Sequence, residues 1–260
     1  MGLNLDAIKA KLNQLNRNDD RRNNLWKPEA GKTRVRIVPY VHRKDNPFLE
    51  LYFHYDIAKR SMLSPVSFGN ADPVVEFAEK LKKTGDKDEW LMGRKIEPKM
   101  RTYVPVIVRG KEADGVKFWG FGKTIYTELL SIVSDPDYGD ITDLMNGRDI
   151  DVEFTRAEGG GYPKTAIRVK PNTSTATDDK AIAEKIMNQP TITDIFPEPT
   201  YEELENALKE WMNPEDDSSD VETTTATTTD TTTKTESGTA AKSEEKQTDV
   251  ASAFNDLFNK

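Results

Sequence analysis

The sequence predicts a mainly β fold with helices, an α+β class built on a small barrel or curled sheet, with an acidic segment after it. Three observations predict this. Six short stretches between Thr33 and Val169 alternate apolar and polar residues with period two. Three further stretches carry apolar residues at helical spacing behind recognisable starts. After Met212 the composition changes: residues 222–235 hold ten Thr, and apolar side chains almost vanish until Val250.

The elements follow in chain order. Leu5, Ile8, Leu12 and Leu15 form one helical stripe behind the possible cap Asn4. The stripe is short, so residues 1–22 read as an arm that orders against something else, ending in an Asp/Arg/Asn linker. In Thr33–Val38, Val35 and Ile37 share one face and Arg34 and Arg36 the other. In Phe48–Ile57, Leu49, Leu51, Phe53, Tyr55 and Ile57 oppose Glu50, Tyr52, His54 and Asp56. Asp72-Pro73 caps and starts a helix with Val74, Phe77, Ala78 and Leu81 on one side. Arg94–Arg101 reads as a basic loop. Val104, Val106 and Val108 oppose Tyr103, Ile107 and Arg109, and Lys117, Trp119 and Phe121 oppose Val116 and Phe118. A helix bearing Ile125, Leu129, Ile132 and Val133 comes next. Ile150, Val152 and Phe154 mark a strand, Gly159-Gly-Gly161 a hairpin turn, and Ile167 and Val169 the returning strand. Thr200-Tyr-Glu-Glu203 is a capping box that opens a helix with Tyr201, Leu204, Leu208 and Trp211 inward.

Charge is distributed unevenly. Residues 1–123 carry 25 Lys+Arg against 16 Asp+Glu; residues 171–260 carry 7 against 20. Such asymmetry points to a polyanion-facing part and an acidic tail. Hydrophobic residues are only 35% of the chain, and residues 213–247 cannot bury enough apolar surface to offset their ordering entropy, so they are expected to be disordered. The expected organisation is an arm at 1–22, a single folded core at 23–212 and a tail at 213–260.

The same composition excludes several functions. With 0 Cys there is no disulfide, thiolate metal site or Cys nucleophile, and two His leave no multi-His metal site. No apolar run approaches the ~20 residues of a membrane span. The first residues show neither a secretory signal nor a myristoylation pattern. A reduced, soluble, intracellular protein without membrane contact is expected. Gly120-Phe-Gly-Lys123 lacks the spacing of a phosphate-binding loop, and Asp135, Asp137, Asp140 and Asp143 lack calcium-loop register. No enzyme, cofactor or metal is expected.

Binding is the better reading. Opposite the apolar faces lie Arg34, Arg36, Tyr52, His54, Tyr103, Lys117 and Trp119, with Lys99 and Arg101 of the flanking basic loop beside them. A groove that tracks phosphates and stacks unpaired bases needs that mixture of cations and rings. No helix presents base-reading side chains as duplex readers do. An assembly or scaffold protein, for which acidic Thr-rich tails also serve, and an RNA-binding protein are the competing readings.

Several ordered strings strengthen the first reading. Ala10-Lys-Leu-Asn13, Trp26-Lys27, Val35-Arg-Ile-Val-Pro39, Phe53-His54, Asp72-Pro-Val-Val-Glu-Phe77, Lys99-Met-Arg-Thr-Tyr103, Phe118-Trp-Gly-Phe-Gly-Lys123 and Tyr201-Glu-Glu-Leu204 occur in this order. In these strings the chain resembles the helix-destabilising single-stranded DNA-binding proteins of T-even-like bacteriophages. The resemblance implies an OB-fold-like core with a basic, aromatic cleft, Lys99, Arg101, Tyr103, Trp119 and Lys123 lying in or near cleft motifs. It implies coating of unpaired DNA in replication, recombination and repair, in the cytoplasm of an infected bacterium. It also implies cooperative contact with neighbouring protomers through the arm, at Leu5, Ile8, Lys9, Lys11, Leu12 and Leu15. Polymerase, primase, helicase or helicase loader, and recombinase are the partners expected for the tail, whose Val250, Phe254, Leu257 and Phe258 would share one face of a short helix. One departure matters. The family's zinc site uses one His and three Cys; here His54 remains, the three Cys are gone, and Asp72 and Val75 stand at two of the matching places.

Overall fold

The computed structural model describes residue 9 and residues 23–43, 45–57, 61–157 and 161–212. The arm positions Leu5, Ile8, Lys11, Leu12 and Leu15 and the tail positions Val250, Phe254, Leu257 and Phe258 lie outside the described residues. The described strands are β1 (Leu25–Trp26), β2 (Gly31–Ile37), β3 (Leu49–His54), β4 (Met62–Leu63), β5 (Lys99–Val108), β6 (Lys117–Phe121), β7 (Gly147–Thr155) and β8 (Lys164–Ser174). The described helices are α1 (Pro73–Lys83), α2 (Lys87–Ile96), α3 (Lys123–Val133), α4 (Lys180–Met187), α5 (Ile192–Ile195) and α6 (Tyr201–Met212). The strands run β1-β6-β5-β2-β7-β8 across one sheet, with β3 joined to β4 and β5. This is the strand-rich α+β class that the alternation predicts, and the sheet is compatible with an OB-like core.

The described residues divide into two compact units: those up to Tyr52 with Met100–Glu198, and Phe53–Lys99 with those from Pro199 to Met212. In the first, Val35 and Ile37 of β2, Val104, Val106 and Val108 of β5, and Ile150 and Val152 of β7 meet in one apolar cluster. Antiparallel pairing puts residues directly opposite one another on the same side of the sheet. Val35 lies opposite Val108 on one side and Ile150 on the other, which explains why these alternations agree. α3 closes this cluster with Ile125, Tyr126 and Leu129. Tyr126 donates a 2.6 Å hydrogen bond to Glu50, and burial together with that bond pushes its phenol up to about 12. On the other side of the sheet, Ile107 packs with Val38, Val116, Ala176 and Ile186.

In the second unit, α1, α2 and α6 gather Val74, Phe77, Ala78, Leu81, Ile96, Leu204 and Leu208 around Ile57. Asp72 caps α1 by accepting from the Val74 and Val75 N–H groups at 2.9 and 3.3 Å. The capping box of α6 is formed in both directions, Glu203 N–H to Thr200 Oγ1 and Thr200 N–H to Glu203 Oε2. Tyr201 is exposed and donates to Glu76, so only Leu204, Leu208 and the half-buried Trp211 of the predicted stripe face inward. Part of the expected basic loop is helical: Arg94, Lys95 and Ile96 end α2, while Lys99 and Arg101 open β5. Asp86 caps α2 by accepting from Asp88 and Glu89 N–H. Gly93 admits close packing on α1, since a Cβ there would stand 2.8 Å from the Ala78 carbonyl oxygen.

His54 was expected on a solvent face and is instead fully buried. Its Nε2 stands 2.9 Å from Asp72 Oδ2 and its Nδ1 3.0 Å from the Ile96 carbonyl oxygen. The carbonyl can only accept, so Nδ1 donates there. Ser64 Oγ also donates to Asp72 Oδ2. Burial pushes the Asp72 carboxyl up, but the His54, Ser64 and Val74 hydrogen bonds outweigh it and hold the group below its ordinary value. Asp72 is therefore a helix-capping carboxylate bonded to His54.

Candidate nucleic-acid interface

The interface starts from strand register. β5 and β6 pair with Tyr103 opposite Gly120, Val104 opposite Trp119 and Val106 opposite Lys117. Trp119 must then point where Val104 points, into the core. It is 1% exposed, with its ring 4.7 Å from Phe121 and 5.6 Å from Trp26. The expected placement of Trp119 and Lys117 on the binding side is thereby corrected. Lys117 shares the Trp119 side and donates to the Asn23 carbonyl.

The opposite side of β5 carries Arg101, Tyr103, Pro105 and Ile107 by alternation. Tyr103 lies half-buried over Gly120, where a Cβ would come within 2.5 Å of its Cε1. Its ring contacts Phe196 at 4.8 Å between centroids. Arg101 reaches the Gly120 carbonyl at 3.5 Å through one guanidinium nitrogen. From sequence Gly120 stands in a string that lacks phosphate-loop spacing; its place inside a strand is the signal of a close approach of this kind. Phe196 was missed because no alternation or helical stripe marks it. Lys123 opens α3 and is exposed.

Arg34 and Arg36 do lie on the Tyr103 side, because Arg36 faces Ile107 across β2–β5. Arg36, however, is fully buried. Its guanidinium donates to Asp149 at 2.9 Å and to the Ser174 carbonyl at 2.9 Å. Burial pulls its pKa below the ordinary arginine value, opposed by Asp149. Arg109 donates to the same carboxylate and to the carbonyls of Thr175 and Ala176. The expectation of a phosphate-facing Arg36 is corrected: its donors are used inside the protein. Arg34 Nε binds Asp151 at 2.8 Å, yet its side chain keeps 46% exposure. Lys99 is exposed and pairs with Asp56 at 3.2 Å, and Tyr52 is half-buried. Among the described residues no group of three or more His, Asp or Glu side chains could hold a metal ion.

Among the described residues, a sheet face with a seated ring and an arginine beside it, without a base-reading helix, is the arrangement of a single-strand nucleic-acid binder rather than a duplex reader. The family described as gp32 DNA binding protein like matches residues 29–214, and the chain belongs to that family. It is a single-stranded DNA-binding protein of the gp32-like kind. No curated protein matches the chain.

Proposed function

We propose that this protein coats and protects unpaired DNA during phage replication, recombination and repair, in the cytoplasm of the infected bacterium and without catalysing a reaction. The observation that carries this reading is Tyr103, held over Gly120 beside Arg101, in a chain of the gp32-like family. A ring stacks on any base and a cation follows any phosphate, so binding is sequence-tolerant. Arg34, Tyr52, Lys99, Arg101, Tyr103 and Lys123 are the side chains we propose for DNA contact.

The finer parts of the reading rest on sequence. The apolar stripe Leu5, Ile8, Leu12 and Leu15, with Lys9 and Lys11, would dock on a neighbouring protomer and make coating cooperative. The acidic tail, with Val250, Phe254, Leu257 and Phe258 on one face, would recruit replication and recombination proteins by folding into a partner groove. Deletion of residues 1–18 tests the coating. Affinity for an oligonucleotide that fits one protomer should be unchanged, while binding to long single strands should lose its sigmoidal onset. An unchanged onset would contradict the assignment of the arm.

A further inference from the structure

The Tyr103 side of the sheet continues past β2. Val35, Ile150, Val152, Ile167 and Val169 turn toward the apolar cluster. The alternate residues of β2, β7 and β8 therefore face the other way. Register sets Arg34, Asp151 and Arg168 in one row across the three strands. Asp151, 3% exposed, lies beneath three cations: Arg34 at 2.8 Å, Lys32 at 2.9 Å and Lys170 at 3.0 Å. Burial pushes its carboxyl up, but the three donors prevail and hold it far below the usual carboxylate range.

One carboxylate cannot neutralise three cations. It positions them and leaves a surplus of positive charge, with the head groups of Lys32 and Arg34 about half exposed. Arg168, Lys164 and Arg156 extend the surplus along β8 and the β7–β8 hairpin, exposed and with no partner among the described residues. The other acids on this face of β7 are Asp149, which Arg36 and Arg109 occupy, and Glu153. In the same hairpin Tyr162 is 89% exposed, with Lys164 two residues after it in sequence and Glu158 and Arg156 before it. Single exposed apolar groups are common. An exposed ring at the end of a cation-bearing strand face is the combination that takes unpaired nucleotides. A carboxylate-rich peptide would use the cations but has no need of the ring.

We infer that the outer face of β2, β7 and β8, with Tyr162 at its tip, is a second single-strand contact that takes nucleotides flanking those held at Tyr103. The segment from Ser174 to Ile186 covers the middle of this sheet side, through Arg36 and Ile107, and separates the two contacts. This inference rests on the single-strand reading above. It adds Arg156, Tyr162 and Arg168 as contact residues, with Asp151 as the group that positions Lys32, Arg34 and Lys170.

The test uses the full chain, with Arg156, Tyr162 and Arg168 changed together to Ala, and dT oligonucleotides of about 6 and about 16 nucleotides, the range occupied by one OB-type fold. The short oligonucleotide should bind as before. Affinity for the long one should fall about tenfold or more, and its log K against log salt slope should lose about 1.4, about 0.7 for each missing phosphate contact. Tyr162→Ala alone should weaken long-oligonucleotide binding with the slope unchanged. Unchanged affinity and slope on the long oligonucleotide would overturn the inference and leave the Tyr103 site standing. Equal loss on both lengths would overturn it, since the substitutions would then act through that site or through folding. Tighter binding would overturn it in favour of residues 213–260 as the occupant. If the intact chain bound neither length, the single-strand reading itself would fail.

Discussion

Replacing Gly120 by Ala tests how the Tyr103 ring is held. The added Cβ would stand 2.5 Å from Cε1, 3.0 Å from Cζ and 3.1 Å from Cδ1 of that ring. Carbon atoms in ordinary contact sit ~3.5–4.0 Å apart, so the ring must retreat by about 1 Å. Phe196 packs against it at 4.8 Å, which limits the retreat. Overpacking of this kind costs roughly 1–3 kcal/mol of stability. A displaced ring should also lose part of the roughly 1–3 kcal/mol that one stacked base contributes. The assay is a fluorescence titration of a labelled dT oligonucleotide with the wild type, Gly120→Ala, Tyr103→Ala and the double variant. Each single change should weaken binding, and Gly120→Ala should cost nothing further once the ring is gone. That non-additivity isolates the pair. If Gly120→Ala weakens binding equally in both backgrounds, the effect does not run through Tyr103 and the reasoning is refuted.

Three other outcomes follow, two from the structure and one from the charge of the tail. Trp119→Ala should cost about 3–5 kcal/mol of stability, as for other buried aromatic rings, and the folded fraction should bind single strands as before; a melting curve with a parallel titration checks both. Asp72→Asn removes a buried carboxylate bonded to His54, Ser64 and the Val74 N–H, and should cost about 1–3 kcal/mol in denaturant unfolding. Because the folded Asp72 carboxyl is held below its ordinary value, its contribution is present above about pH 4 and is lost as pH falls through the folded value, so the wild type should lose this stability on acidification and the Asn variant should lack that part of the pH dependence. Deleting residues 213–260, which carry 4 Lys against 11 Asp+Glu, should tighten single-strand binding, most at low salt; equal affinity with and without them at every salt concentration would refute competition by the tail.

Local signals in the sequence carried the elements well, and pairings carried what the sequence hid. β2, β5 and β7 were legible because Val35, Val108 and Ile150 alternate strictly and face one core. Asp72-Pro73 and Thr200 announced α1 and α6 through caps that depend on neighbouring residues only. α2 was missed: Gly93 breaks helical propensity in the middle of the segment, and its value appears only in the approach to Ala78. Trp119 was misplaced because β6 was read alone; alternation defines two faces, and only the pairing with Val104 says which one is inside. Arg36 and His54 followed polar positions and so looked solvent-facing. Their partners, the half-buried Asp149 and the buried Asp72, lie 113 and 18 residues further along the chain, beyond any local signal.

The central claim is selective binding of unpaired DNA, and one equilibrium titration tests it. The intact protein is titrated with poly(dT), poly(U) and a duplex of equal length at about 50 mM and about 200 mM salt, a range over which several phosphate contacts change affinity by orders of magnitude. The account predicts tight binding to poly(dT) that weakens steeply with salt, and much weaker binding to the duplex at both concentrations. Equal affinity for duplex and single strand, or affinity for poly(dT) that ignores salt, would contradict it.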